Sequence, residues 1–313
     1  VPVSATPDEP LPLDGVDVLV VSSPKEPLGS PHENSLKEYI QQGGKVFFNL
    51  ESVLVDIQQL AGLPNRHSLA EFIEREFGIV LEENIVYDLQ SNETIGFSAG
   101  ARGNVILPYP YWIRAVVEDN KVAGNVDTVV LPWANTLGIL DLPDSKYSIT
   151  PLIRSTSYAA VDDSFRNLKP DSPVFTDPLQ INFFSSDLAV TAEGSNGSRV
   201  VIVGDADWLS ESATQRFSNN VLLGLNLLDW LAQEDKLASV RSKVVSERNM
   251  VFSSDRHRNL VQYSNIGGVP LLLILTGLLR FWVRRTKGFK GNWRRRLQGA
   301  PSQVTAQDQE SSE

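Results

Sequence analysis

The sequence predicts an α/β protein built on a parallel sheet, with a β-rich insertion and one C-terminal transmembrane helix. Three observations carry this. Val16–Val21 (VDVLVV), a short helix and Lys45–Leu50 (KVFFNL) form a strand-helix-strand unit, whose two strands should be parallel. Arg199–Val203 (RVVIV) returns much later to the same apolar, β-branched pattern of a buried strand. Leu260–Leu279 runs for 20 positions without a charge, and eight Lys/Arg follow before the chain ends.

Residues 1–15 are rich in Pro and read as a lead-in segment; an α/β domain should occupy 16–234. After the first strand, Ser30-Pro31-His32-Glu33 has capping-box spacing with Pro at the first helical position. Leu36, Tyr39 and Ile40 give that helix an apolar face, and Gly43-Gly44 stops it. Ser68–Glu71 repeats the capping spacing, with Leu69, Phe72, Ile73 and Phe77 on one face and Gly78 at the end. Around 79–197, short apolar runs (Ile79–Leu81, Ile85–Tyr87, Val105–Leu107, Thr128–Leu131 and Leu188–Thr191) are separated by Pro and Gly, which reads as a β-rich insertion. A helix over Asn219–Ala232 should present Val221, Leu222, Leu225, Leu228 and Leu231 on one side.

Residues 235–258 form a polar, charged juxtamembrane connector in this reading, and 259–283 the span. About 20 residues at 1.5 Å each match a hydrocarbon core of roughly 30 Å. Tyr263 and Trp282 would lie about 28 Å apart, the spacing of two interfacial aromatics. Pro270 interrupts the span, and Arg280 would snorkel to the head groups. Arg284 and Arg285 lead a basic segment that fixes the orientation, with the main domain extracytoplasmic and the 284–313 tail cytoplasmic. That tail turns Gln/Ser/Glu-rich after Gly299, a composition expected to be disordered.

Charge divides along the same line. Residues 1–279 carry 20 Lys/Arg against 35 Asp/Glu, and residues 280–313 carry 8 against 3. An ectodomain this acidic argues against nucleic acid or anionic lipid as its main partner, although acidity also serves plain solubility. The absence of Cys excludes disulfides, thiolate metal sites and cysteine nucleophiles. Because the sequence starts at Val1 and its one Met is Met250, it is expected to be a fragment or a processed form.

In a parallel α/β sheet, ligands bind beyond the carboxyl ends of the strands. Ser22-Ser23-Pro24, Asn49-Leu50-Glu51 and Gly204-Asp205-Ala206-Asp207 fall at such ends. If those strands are neighbours, Ser23, Glu51, Asp205 and Asp207 share a crevice. Paired carboxylates there would hold a ligand or a divalent cation, or work as acid and base. The competing reading is turn chemistry, with the Asp side chains capping the next segment. His32, His67 and His257 are scattered and are expected to be solvated, so no metal or cofactor is assigned. No GxSxG, Walker A or GxGxxG pattern occurs, and Gly100–Gly103 (GARG) is too short a signal for phosphate binding. The aromatics of Pro108–Trp112 (PYPYW) and Pro132-Trp133 suit either a partner surface or packing beneath a loop.

Taken in order, several stretches resemble the auxiliary component of gliding-motility-type ABC transport systems. They are VDVLVVSSPKEPL, LKEYIQQGGKVFF, SRVVIVGDADWLSE, NNVLLGLNLLDWLAQED and VPLLLILTGLLRFWVRRTKG, spread over roughly residues 14–288. The resemblance rests on Gly204, Asp205 and Asp207; on Asn219, Asn220, Asn226, Trp230 and Leu231; and on Arg284 with Arg285. It implies a flavodoxin-like, class I glutamine amidotransferase-like sheet, an ABC permease and ATPase as partners, and a place at the cell membrane. Amidotransferase catalysis does not carry over, because that chemistry needs a Cys. Two readings follow: a non-enzymatic accessory subunit that binds a ligand or partner, and a membrane-anchored hydrolase using Asp205 and Asp207.

Overall fold

The computed structural model describes residues 2–3, 6, 8–25, 27–65, 68–98, 103–118, 122–142, 145–175, 181–232 and 263–296. These fall into two compact units, one within residues 1–253 and one within 254–313.

The first unit is dominated by strands. Its main sheet has eight, in the order β1 (Leu19–Ser22), β2 (Lys45–Asn49), β14 (Arg199–Val203), β13 (Asp187–Gly194), β11 (Tyr147–Arg154), β8 (Asn104–Val117) and β7 (Asn92–Ser98), with β9 (Thr128–Pro132) also paired to β8. β1, β2 and β14 are parallel, as the strand-helix-strand reading requires for the first two. From β13 outward every pairing is antiparallel. The sheet is therefore mixed and curled, and the flavodoxin-like, amidotransferase-like parallel sheet with a separate β-rich insertion is not what the chain builds. The cause is local. β13 and β14 are joined by a tight turn in which Gly197 takes φ +84°, and a tight turn can only join antiparallel neighbours. Strands of the expected insertion thus extend the main sheet. Three small antiparallel pairs complete the set: β3 (Val53–Asp56) with β4 (Ala61–Pro64), β5 (Ile79–Leu81) with β10 (Leu137–Ile139), and β6 (Ile85–Asp88) with β12 (Ala159–Asp162).

The two central parallel strands are buried on both faces, and their side chains alternate between two cores. Val46, Phe48, Val200 and Ile202 pack with Leu36 and Ile40 of α1 (Ser30–Gln41) and Leu69, Phe72 and Ile73 of α2 (Ser68–Phe77). Phe47, Val201 and Val203 face the other way, onto Trp208 and onto Leu223, Leu227 and Trp230 of α4 (Ser218–Leu231). β1 is shorter than the VDVLVV run and is an edge strand, with Val20 half exposed. The capping box at Ser30 does not form. Gly29 is the N-cap, with no side-chain bond, and its carbonyl accepts from His32 and Glu33. At the other end of α1, Asn196 from the β13–β14 turn donates to the carbonyls of Ile40 and Gln41.

The proline-flanked aromatics resolve as core. Tyr109, Tyr111 and Trp133 are buried in a third cluster with Tyr87 and Phe165, as ring pairs 5.2–6.5 Å apart that include Phe175. Trp133 Nε1 donates to the Tyr109 hydroxyl at 3.0 Å, and Tyr111 donates to Asp162 at 2.7 Å, so the polar tips are satisfied in place.

α4 buries a face rotated from the expected leucine stripe, keeping Leu231 inside and Leu222 and Leu228 half-buried against the core. Asn220, Leu223, Gly224, Asn226, Leu227, Trp230 and Leu231 are inward, while Leu225 is exposed. Asn220 explains the rotation. Its amide accepts from Val130 N at 3.0 Å and donates to Val130 O at 2.7 Å, so it occupies the place of a further strand beside β9. It also donates to Trp208 O at 2.8 Å, and Asn219 donates to Thr128 O at 2.9 Å.

The second unit holds α5 (Val269–Arg296), preceded by a π-helical turn over Ser264–Gly268. Among the described residues no helix is long and apolar enough to cross a membrane, which overturns the expected C-terminal transmembrane helix. The uncharged run of the sequence is not one uninterrupted α-helix. α5 starts at Val269 and meets Arg280 after 11 residues, about 16 Å against the roughly 30 Å needed. Pro270 is the second residue of α5, directly after the π-helical turn. Tyr263 precedes the π-helical turn, and Arg280, Trp282, Arg284 and Arg285 lie along α5; Tyr263 and Trp282 are exposed. The 235–258 connector and the tail after Gly299 lie outside the described residues.

Candidate functional site

Sheet order makes β1, β2 and β14 consecutive neighbours, so their carboxyl ends meet. Ser23 follows β1 in the left-handed region, φ +40°, held there by Ser23 N donating to Asn49 O at 2.8 Å. A non-glycine residue in that conformation is strained and needs its surroundings to fix it. The Ser23 hydroxyl donates to Glu51 Oε1. Lys25 Nζ bridges both, 2.7 Å from Ser23 Oγ and 2.5 Å from Glu51 Oε1. Glu51 is buried at the end of β2, its backbone carbonyl accepting from Asn65 Nδ2 at 3.0 Å.

The third strand end supplies Asp205 and Asp207. Asp205 is 2% exposed. Its Oδ1 accepts from Asp207 N at 2.7 Å and Trp208 N at 3.1 Å, starting the 3-10 turn Asp207–Leu209. The turn-capping reading therefore describes Oδ1. It does not describe Oδ2, which is buried with no hydrogen-bond partner. Burial, then the charges of Asp207 and Glu51, push the Asp205 carboxyl well above the ordinary carboxylate range. Asp207 is raised too, by burial and by Glu51, with Lys25 opposing. Gly204 is required just before this turn: a Cβ there would lie 2.5 Å from the backbone carbonyl oxygen of Asn135. Behind the site, Trp208 is fully buried, its Nε1 donating to Asn49 Oδ1 at 2.8 Å and its ring edge-on to Phe47.

The structure thus places Ser23 and Glu51 in direct contact and Asp205 and Asp207 within charge range of Glu51. Sequence reasoning passed over Lys25, which was legible as the cation two residues beyond Ser23. Asn49 was placed at a strand end by the sequence, but the bond from its amide oxygen to Trp208 carried no readable signal. Among the described residues no group of three or more His, Asp or Glu is arranged to hold a metal ion. His32 is buried rather than solvated, with Nε2 2.9 Å from Thr6 O. His67, His257 and residues 99–102 around GARG lie outside the described residues.

Two raised carboxyls give a signed pH dependence. The folded chain holds protons that the unfolded chain releases. The stability they contribute is complete below the unfolded carboxyl range, about 4, and is lost as pH rises through the folded values. Asp205→Asn keeps the Oδ1 acceptor and removes the titrating carboxyl. It is expected to flatten the decline of the melting temperature as pH rises above the unfolded carboxyl range, and so to raise the melting temperature on the alkaline side of that range. Thermal melts of both proteins from that range upward check it.

The fold and site define a class: a mixed α/β domain with a carboxylate-rich strand-end site and no cysteine nucleophile. Residues 1–226 match the family described as ABC-type uncharacterized transport system, and the chain belongs to that family, as an auxiliary transport component. An uncharacterized protein of Borreliella burgdorferi (strain ATCC 35210) is 22% identical over 272 residues, covering 80% of this chain and 53% of the relative. The chain spans about half the length of that protein. Among solved structures, the mmIFT52 N-terminal domain overlaps 70% of this chain and 79% of its own at 13% identity, with a TM-score of 0.47.

Proposed function

We propose that this chain is a non-enzymatic accessory subunit that works in contact with the permease and ATPase subunits of its ABC-type transport system, and that Ser23, Lys25, Glu51, Asp205 and Asp207 bind a ligand or a partner group. The observation that carries the site is Asp205 Oδ2, a fully buried oxygen without a partner among neighbouring carboxylates. A buried acceptor left unsatisfied costs about 1–3 kcal/mol, which a domain keeps when the group has a use. The absence of Cys and the family of transport components support a binding role over a catalytic one. Affinity purification of the chain from native membranes is expected to recover an ABC permease and its ATPase. Repeated recovery of neither, under conditions that preserve other transporters, would overturn the reading.

The raised carboxyls of Asp205 and Asp207, side by side at one strand end, favour one second reading, a hydrolase in which they supply acid and base. Its test is turnover of ester, phosphate and glycoside reporters by the purified chain, abolished in the Asp205→Asn, Asp207→Asn double variant. Lack of turnover on all three classes sinks it.

A further inference from the structure

On the far part of the sheet, where β7, β8 and β9 meet the start of α4, lies a cavity of about 200 Å³. Its charged lining residues are Arg114 from β8, Arg216 from the end of α3 (Glu211–Arg216) and Glu93 from β7. The lining is therefore net positive, although residues 1–279 around it carry 35 acidic against 20 basic residues. Arg114 is three-quarters buried and paired with Glu93 at 2.6 Å, which fixes its fork. Arg216 is different. Among the described residues no carboxylate pairs with it. Its guanidinium lies 5.5 Å from the Trp112 ring centroid and 5.2 Å from that of Phe217, and one nitrogen donates to Thr94 O. Two aromatic faces and one backbone acceptor hold a planar cation at the cavity with its remaining donors unspent. Hydroxyls of Thr128 and Ser218 and the amide of Asn219 complete a polar wall.

We infer that this cavity is a binding site for a small oxyanion, a carboxylate or phosphate group, held by Arg216 and Arg114. Both groups present the paired oxygens that a guanidinium fork matches. The volume suits the anionic head of a small molecule or of a chain terminus and is too small for a nucleotide, since drug-sized ligands take about 300–1,000 Å³. The site is separate from the strand-end carboxylates, whose charge would repel the same ligand.

Titration calorimetry on the full chain tests this, with inorganic phosphate and with acetate at constant ionic strength set by chloride. Saturable one-to-one binding is expected for at least one of them. Tighter phosphate assigns a phosphorylated ligand, and tighter acetate a carboxylated one. Arg216→Gln should weaken binding about tenfold or more, while Lys146→Gln, a remote exposed cation, leaves it unchanged. Because Arg216 also packs on two rings, amide shifts of the unmutated chain give a second readout. Ser218, Asn219 and Thr128 should move on titration. Absence of saturable heat with both anions, an Arg216→Gln variant that binds as well as the parent, or amide shifts confined to other regions would overturn the site.

Discussion

Replacing Asn220 with Ala is expected to destabilise the first unit by about 3–5 kcal/mol, a large share of the roughly 5–15 kcal/mol that holds a typical domain together. The side chain is fully buried and makes three hydrogen bonds, all to backbone. Truncation leaves Val130 N–H, Val130 C=O and Trp208 C=O buried without partners, and each such group costs about 1–3 kcal/mol. β9 has β8 on one side and α4 on the other, so no further strand is available to take over. Asn220→Asp should be nearly as harmful, because a carboxylate accepts from Val130 N but cannot donate to either carbonyl. Urea unfolding should show a lower midpoint with an unchanged slope, and the Val130 amide should exchange faster. A loss below about 1 kcal/mol would mean that the amide does not take the place of a strand.

Trp208→Ala is the other large effect, also about 3–5 kcal/mol. Among the described residues it is the largest fully buried side chain, and it packs in one core with Phe47, Val201, Leu223 and Leu227. Trp208→Phe separates the contributions. It retains most of the packing but leaves Asn49 Oδ1 without its donor, so about 1–2 kcal/mol should be lost. Both variants keep the backbone N–H of residue 208 that donates to Asp205 Oδ1, so the losses report packing and the bond to Asn49. If Trp208→Phe proves as damaging as Trp208→Ala, the hydrogen bond to Asn49 outweighs the packing.

Legibility in the sequence followed how each feature is encoded. β2 and β14 are continuous apolar runs because both faces are buried, and a run of that kind is visible without any partner. The strand-helix-strand topology followed from the short connection through α1. Whether later strands formed their own layer or lengthened the main sheet was not readable, since β8 pairs with β7, β9 and β11 through contacts that no local pattern encodes. The face of α4 was misread because leucines were weighted over asparagines. Asn220 is inward for its backbone bonds, and hydrophobic periodicity does not register them. Leu260–Leu279 misled for the opposite reason: absence of charge was visible, but the π-helical turn and the late start of α5 were not. At the strand-end site the order β1-β2-β14 was the missing quantity, and it decides which side chains become neighbours.

The parallel pairing of β2 with β14 has a consequence in time. Lys45 registers with Arg199, so the middle of the sheet unites two stretches with most of the domain between them. During synthesis at about 5–20 residues per second, β1, α1 and β2 leave the ribosome roughly 8–30 s before β14 does. Meanwhile the hairpins of the antiparallel half can pair as they emerge, because their contacts are short in sequence. Through that interval β2 carries an open apolar edge awaiting a strand not yet made. β14 closes that edge when it arrives, pairing with β2 on one side and β13 on the other.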